Sequence, residues 1–321
     1  MEAPSPGNGS DFDAHAPYRM YHGDKIPGFP AHPHRGFETV TATVSGLIDH
    51  ADSVGNAGRY GDGDVQWMTA GEGVVHGEMF PLVHSDRPNT LRLFQIWLNL
   101  PARYKMCSPS FAMFWNENIH TWKSDDDKVL VTTIYGDDYF SRTNNDDARM
   151  NSPPPNSWAA DPENDVAIFH ITLRAGGKLI LPKAKKGGEI NRSLYLIEGH
   201  NLGVKVDGKV LSDKVCLDMD ATIDVAIELP TTSNANNGQK TEFLLLQGRP
   251  IREPVAQHGP FVMNTQSEIK QAFEDYQRTR FGGWPWPRDD MVFPKEKGRF
   301  ALIDGVESFP PSVVDKKEDE L

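Results

Sequence analysis

The chain has 321 residues, about twice the length of a common domain, so its length predicts two domains and a tail. Its formal net charge of -12 opposes binding to a phosphate backbone, and we therefore expect no direct contact with nucleic acid. No apolar run approaches the roughly 20 residues of a membrane span, and residues 1–13 lack the basic and apolar regions of a secretory signal. We therefore expect a cytoplasmic protein that does not enter membranes.

Short apolar segments rich in Val, Ile, Thr, Phe and Trp alternate with turn residues between residues 29 and 136. This alternation predicts many short strands joined by turns. The predicted strands are 38–47, 65–70, 73–80, 91–100 and 129–135. Both faces of segment 91–100 are mostly apolar, so we expect this strand to lie inside a barrel or sandwich.

Residues 137–165 do not follow this pattern. They contain Asp and Asn pairs and three consecutive prolines but few aliphatic residues, which predicts an acidic Pro/Asn-rich linker or insertion. Strands resume at 166–173, 177–181, 193–198, 204–211, 222–229 and 241–247. Thr265 and Glu268 then form a capping-box pattern, and apolar residues recur at helical spacing as far as Gly282. One helix is therefore predicted here.

Two short histidine motifs have the spacing of metal ligands. His32 and His34 are two positions apart, and so are His76 and Glu78. In a strand this spacing puts both side chains on one face, so two strands can direct three imidazoles and one carboxylate at a common point. Neutral imidazoles with one carboxylate suit a divalent transition metal. We predict a metal site of His32, His34, His76 and Glu78.

The residues alone leave the identity of the metal open. In an octahedral site these four ligands would leave two positions for O2 and a substrate oxygen, which favours catalytic Fe(2+). In a tetrahedral site the same four groups would enclose a structural zinc ion. Glu38, four residues after His34, also stands at a spacing where a carboxylate ligand can occur.

Three segments resemble the signatures of the pirin family. They are residues 32–40 (HPHRGFETV), 63–78 (GDVQWMTAGEGVVHGE) and 252–265 (REPVAQHGPFVMNT). The resemblance implies Fe(2+) bound by His32, His34, His76 and Glu78, and it gives Glu38 a structural or supporting role. Another divalent transition metal would fit the same ligands.

The resemblance also implies an all-β fold of two cupin barrels, of the double-stranded β-helix or jelly-roll type, in tandem with a short C-terminal helix. We predict an N-terminal metal-binding barrel at 1–136, a linker at 137–165, a metal-free C-terminal barrel at 166–264, and a helix and tail at 265–321. In the second barrel the nearest approach to a ligand pair is Glu198 with His200, at an apparent hairpin bend. We expect that barrel to be a scaffold or an interaction surface.

Two functions are implied by this resemblance. In the first, the protein is a non-haem iron dioxygenase similar to quercetin 2,3-dioxygenase: Glu78 removes a proton from a flavonol-like enol, O2 attacks the ring, and carbon monoxide is released. In the second, it is a non-enzymatic co-regulator whose iron changes oxidation state and biases binding to a protein partner. The second function would extend the expected location to the nucleus. Fold alone does not choose between them.

Overall fold

The structure is a computed structural model that describes residues 26–137, 140, 151–231 and 239–311. It confirms the all-β class with one short α-helix. No helix in these ranges has the length and apolar character that crossing a membrane requires. Most of the predicted linker segment 137–150 lies outside the described residues, whereas residues 151–165 form turns and two short 3₁₀ helices, Trp158–Ala160 and Pro162–Asn164.

The contacts within the chain define two units. Unit 1 comprises Met1–Glu117, Pro153–Ser157 and Glu253–Leu321, and unit 2 comprises Asn118–Ser152 and Trp158–Arg252. This division differs from the predicted boundaries at 136 and 264 because strand pairing joins segments that are distant in sequence. The predicted domain ranges themselves stay predictions.

The first part of unit 1 supplies eight strands. They are β1 (Gly28–His34), β2 (Phe37–Ser45), β3 (Leu47–Asp52), β4 (Ala57–Gly61), β5 (Val65–Thr69), β6 (Val74–Met79), β7 (Arg92–Asn99) and β8 (Ser110–Phe114). The predicted strands 38–47, 65–70, 73–80 and 91–100 correspond to β2, β5, β6 and β7.

Unit 2 contains the next ten strands. They are β9 (Thr121–Lys123), β10 (Val129–Tyr135), β11 (Ala167–Arg174), β12 (Lys178–Leu181), β13 (Asn191–Glu198), β14 (Lys205–Val206), β15 (Lys209–Val210), β16 (Cys216–Asp218), β17 (Val225–Glu228) and β18 (Lys240–Gly248). They form two sheets, in the orders β16-β13-β18-β11-β10-β9 and β12-β17-β14-β15. Buried aliphatic and phenylalanine side chains from both sheets form one core, as expected for a barrel or sandwich.

After Glu253 the chain returns to unit 1. It forms β19 (Ala256–His258), β20 (Phe261–Met263), α1 (Gln266–Thr279), β21 (Phe300–Ile303) and β22 (Val306–Ser308). β21 pairs with β4, so the first sheet of unit 1 has the order β1-β6-β3-β4-β21-β22. The second sheet has the order β7-β2-β5-β8, and β19 pairs with β20.

The predicted capping box is present at the start of α1. The Thr265 side chain accepts a hydrogen bond from the Glu268 backbone N–H, and the Glu268 carboxylate accepts one from the Thr265 backbone N–H. The helix ends at Thr279, and a 3₁₀ turn continues the chain to Gly282. Its apolar face packs on Phe261 and its neighbours, including Val75 of β6.

β7 differs from its prediction as an internal strand. Among the described strands it is the end strand of its sheet and pairs with β2, and the side chains of Gln95 and Trp97 are exposed. The apolar pattern of segment 91–100 could not reveal this position, because it depends on which strands pair with it.

Candidate metal centre

Two antiparallel strands bring the histidines of both motifs together. β1 and β6 are neighbours, and their register places His32 opposite His76. His32 and His34 are two positions apart on β1, so both side chains point to the same face. Strand pairing therefore joins three histidines that are far apart in sequence.

The three imidazoles are close enough to share one ion. One ligand nitrogen from each of His32, His34 and His76 lies within 4.8 Å of the other two. The distances between ring centroids are 4.8 Å for His32 and His34, 4.5 Å for His32 and His76, and 4.9 Å for His34 and His76. Imidazoles at this spacing can each direct one nitrogen at a common transition-metal ion.

The hydrogen bonding of these rings fits a metal. His76 is 0% exposed, and neither of its ring nitrogens has a hydrogen-bond partner; Nδ1 of buried His34 also lacks one. Buried polar atoms without partners are costly, so native proteins seldom keep them. Nδ1 of His32 lies 2.8 Å from the carbonyl oxygen of Pro30, and this contact leaves Nε2 available as a ligand. The donor set therefore fits a divalent transition metal.

Burial keeps these imidazoles neutral. It lowers the pKa of His34 from 6.5 to about 3, with a further decrease from neighbouring His32. Burial also lowers the pKa of His76 well below its ordinary value, and it lowers the pKa of His32 against the opposing effect of the Pro30 hydrogen bond. Since a metal ion binds neutral imidazole, no proton has to leave the site at neutral pH before an ion enters.

Glu78 is held beside the three histidines by a set of hydrogen bonds. It lies two positions after His76 on β6. Its Oε1 accepts hydrogen bonds from the Thr41 hydroxyl at 3.3 Å and the Tyr60 hydroxyl at 3.4 Å, and its Oε2 accepts one from Gln95 Nε2 at 2.8 Å. The three-histidine cluster does not include it. Its roles as fourth ligand and general base stay predictions.

Glu38 lies on the opposite side of β2 from the metal cluster. The ring centroids of Phe37 and His34 are 5.0 Å apart, and the Thr41 hydroxyl donates to Glu78. The odd-numbered residues of β2 therefore face the cluster. The Glu38 carboxylate instead accepts hydrogen bonds from the Thr69 hydroxyl at 2.7 Å and the Ser157 hydroxyl at 2.6 Å. Its position suits a structural role.

Replacing Glu38 by glutamine should change the pH dependence of stability. Burial raises the pKa of Glu38 from 4.5 to about 7 in the folded protein. The stability that goes with the protonated carboxyl is therefore fully present below pH 4.5 and is lost as the pH rises through 7. Glu38→Gln removes this loss, so urea unfolding should find the variant more stable than wild type by up to about 3 kcal/mol at pH 8. Equal stability of the two proteins at pH 8 would contradict the raised pKa.

The sequence interpretation missed several side chains around the cluster. His50 on β3 is fully buried, its ring centroid lies 5.4 Å from that of His76, and its Nε2 lies 3.4 Å from Asp52 Oδ2. Tyr60 and Gln95 contact Glu78, as described above. Side chains alternate between the two faces of β3 and of β7, and this alternation could have pointed to them. To use it, one must know which face of each strand points to the cluster.

The three-histidine cluster belongs to unit 1 and not to unit 2. Within the residues that the structure describes, His32, His34 and His76 are the only group of three or more His, Cys, Asp or Glu ligands that could hold an ion. Glu198 ends β13, and His200 lies in the 3₁₀ turn that follows. The absence of metal from the second barrel stays a prediction.

Two family profiles and several known proteins match this chain. The Pirin family profile matches residues 9–98, and the profile of the pirin C-terminal cupin domain matches residues 168–282. A pirin-like protein of Caulobacter vibrioides is 39% identical over 258 residues, which cover 80% of this chain and 82% of that protein. A Pseudomonas aeruginosa protein, provisionally named a quercetin 2,3-dioxygenase, is 35% identical over 79% of this chain and 80% of its own length.

The solved structures include a similar fold. A quercetin 2,3-dioxygenase from Acinetobacter baumannii superposes with a TM-score of 0.65 at 29% identity, covering 84% of each chain. This similarity and the two family profiles support a tandem arrangement of cupin-type domains. Both pirin profiles match the chain, and relatives above 30% identity align over most of its length. The chain therefore belongs to the pirin family.

Proposed function

We propose that this protein is a quercetin 2,3-dioxygenase that uses Fe(2+) held by His32, His34 and His76, with Glu78 as the fourth ligand and general base. The observation that carries the proposal is the convergence of three imidazoles, two of which are buried and have ring nitrogens without hydrogen-bond partners. In the overall reaction both atoms of O2 enter the ring-opened flavonol product, and one ring carbon leaves with its oxygen as carbon monoxide.

Bound iron would supply Lewis acidity and one-electron chemistry toward O2. Glu78 would receive the proton of the flavonol enol, because a carboxylate can accept a proton on either oxygen. Thr41 and Tyr60 donate to Oε1, and Gln95 donates to Oε2. With two donors on Oε1 and one on Oε2, one lone pair of Oε2 remains. This lone pair would serve the ion while Glu78 is a ligand and the proton while Glu78 is a base, so the two roles would alternate.

The surroundings of Glu78 also restrict its movement. Tyr60 is fully buried, and burial, together with the charge of Glu78, keeps its pKa well above the ordinary value of 10.0, so its hydroxyl stays a donor. The Thr41 hydroxyl is buried as well. A base that is fixed in this way has the orientation that efficient proton transfer needs.

Anaerobic and aerobic turnover measurements test the proposal. The purified protein is loaded with Fe(2+), and the loss of flavonol absorbance is followed after addition of quercetin under air and under nitrogen. We expect loss only under air, and His34→Ala should reduce the rate at least about 100-fold because one ligand of the ion is removed. Metal content is measured on the same preparations.

A matched control separates the site from general effects of histidine removal. His258 is an exposed histidine at the end of β19, and His258→Ala should retain both metal and turnover. Iron-loaded protein that leaves a panel of flavonols unchanged under air would exclude the dioxygenase proposal. The redox-dependent binding of a protein partner would then be the remaining proposal for the same site.

A further inference from the structure

An exposed aromatic side chain stands at the edge of the metal cluster. Trp97 on β7 is 45% exposed, although its ring centroid lies only 5.6 Å from that of His34. Phe37 lies against the indole, with centroids 4.4 Å apart and ring planes 35° apart. One face of the indole is therefore packed on Phe37, and its accessible surface lies next to a metal-ligand candidate.

The indole is fixed by a chain of hydrogen bonds that reaches Glu78. Trp97 Nε1 donates to Gln95 Oε1 at 3.1 Å, and Gln95 Nε2 donates to Glu78 Oε2 at 2.8 Å. An amide held at both ends has a defined orientation, since its oxygen must accept and its nitrogen must donate. Gln95 therefore couples the orientation of the indole to that of the carboxylate.

Another aromatic side chain near the histidines is that of Phe29 on β1. Phe29 lies 6.1 Å from His32 and 5.8 Å from Phe80 between ring centroids. In the part of the chain that the structure describes, β1 and β7 are both end strands of their sheets, and the His34–Trp97 contact joins them. A ligand of the three histidines would thus meet aromatic surfaces from both strands.

We propose that Trp97 is the platform on which a planar aromatic ligand stacks beside the metal, and that Gln95 is the positioning residue that fixes this platform. Aromatic rings prefer offset or edge contacts with other rings, and a half-exposed indole offers a large rigid surface for them. The choice of a flavonol as the ligand rests on the proposed function. The stacking itself does not, because a ligand can stack on the indole without being converted.

Binding under nitrogen tests the platform without oxygen chemistry. Quercetin is titrated into Fe(2+)-loaded protein in the absence of O2, and its dissociation constant is measured for wild type, Trp97→Leu and Trp97→Phe. We expect Trp97→Leu to weaken binding about tenfold, and Trp97→Phe to weaken it less because a ring is retained. Phe309→Leu is the control, because Phe309 is 60% exposed and follows β22 at the opposite end of the first sheet from β1.

A double-mutant cycle tests the role of Gln95. If Gln95 acts through the indole, Gln95→Leu weakens quercetin binding in the wild-type background and has little further effect in the Trp97→Leu background. If the effects of Gln95→Leu and Trp97→Leu on the dissociation constant multiply in the double variant, Gln95 does not act through the indole. Circular dichroism and iron content establish that each variant is folded and loaded.

The outcomes separate the platform from the proposed dioxygenase activity. If Trp97→Leu binds quercetin within about twofold of wild type, or if wild type does not bind it, the platform is wrong. If wild type binds under nitrogen, Trp97→Leu binds more weakly, and neither consumes quercetin under air, the platform stands and the dioxygenase proposal fails. If wild type consumes quercetin under air and Trp97→Leu binds it as tightly as wild type does, the dioxygenase proposal stands and the platform fails.

Discussion

Replacing His76 by leucine is expected to abolish metal binding and at the same time to stabilise the metal-free protein. His76 is fully buried with no hydrogen-bond partner on either ring nitrogen. An apolar side chain removes the cost of two buried polar atoms, so the free energy of unfolding without metal should rise by about 1–3 kcal/mol. Metal affinity should fall at least about 100-fold, because only two imidazoles remain.

Thermal unfolding with and without metal measures both effects. Added Zn(2+), or Fe(2+) under nitrogen, should raise the melting temperature of wild type, because an ion that binds only the folded state stabilises it. The variant should start from a higher melting temperature and show no increase. His258→Leu, at an exposed position, should behave as wild type. A His76→Leu protein that is less stable than metal-free wild type would show that the imidazole contributes native packing.

The metal-free protein should lose stability steeply in mild acid. The pKa of His34 is about 3 in the folded state and 6.5 ordinarily, and burial also lowers the pKa of His76 well below that value. Below pH 6.5 the unfolded chain therefore binds more protons than the folded one, and stability falls as the pH falls. At pH 5 the loss should be about 2 kcal/mol for His34, and His76 should add to it in the same direction.

Urea unfolding between pH 7.5 and 5 measures this slope. A loss of about 2 kcal/mol from His34 alone is already large beside the 5–15 kcal/mol that stabilises an ordinary domain. His34→Leu should remove the contribution of His34 to the dependence of unfolding free energy on pH, whereas His258→Ala should leave that dependence unchanged. A metal-free protein with equal stability at pH 7 and pH 5 would contradict the buried, neutral state of these rings.

Local patterns predicted the histidine cluster and the helix. A spacing of two residues fixes His32 and His34 on one face of any strand, and the same rule applies to His76 and Glu78. The capping box of Thr265 and Glu268 likewise requires only neighbouring residues, and the helix begins where it was predicted. These features depend on backbone geometry that the sequence determines within a few residues.

Features that depend on distant pairing were not predictable from one sequence. β7 contains alternating residues on two mostly apolar faces, and only its place beside β2 at the end of a sheet exposes Gln95 and Trp97. In the same way, no local pattern indicates that β21 pairs with β4. Register and strand order arise from packing across the whole unit, so sequence alternation leaves several arrangements open.

The return of the chain to unit 1 after Glu253 affects the order in which the protein can fold during synthesis. A ribosome releases β9 to β18 of unit 2 before it has made β21, which completes the first sheet beside β4. The later unit can therefore finish folding while the earlier one still lacks a strand, although β1 and β6 with their histidines emerged first. During translation, then, the sheet that carries the metal-binding strands is completed only when the last part of the chain has been made.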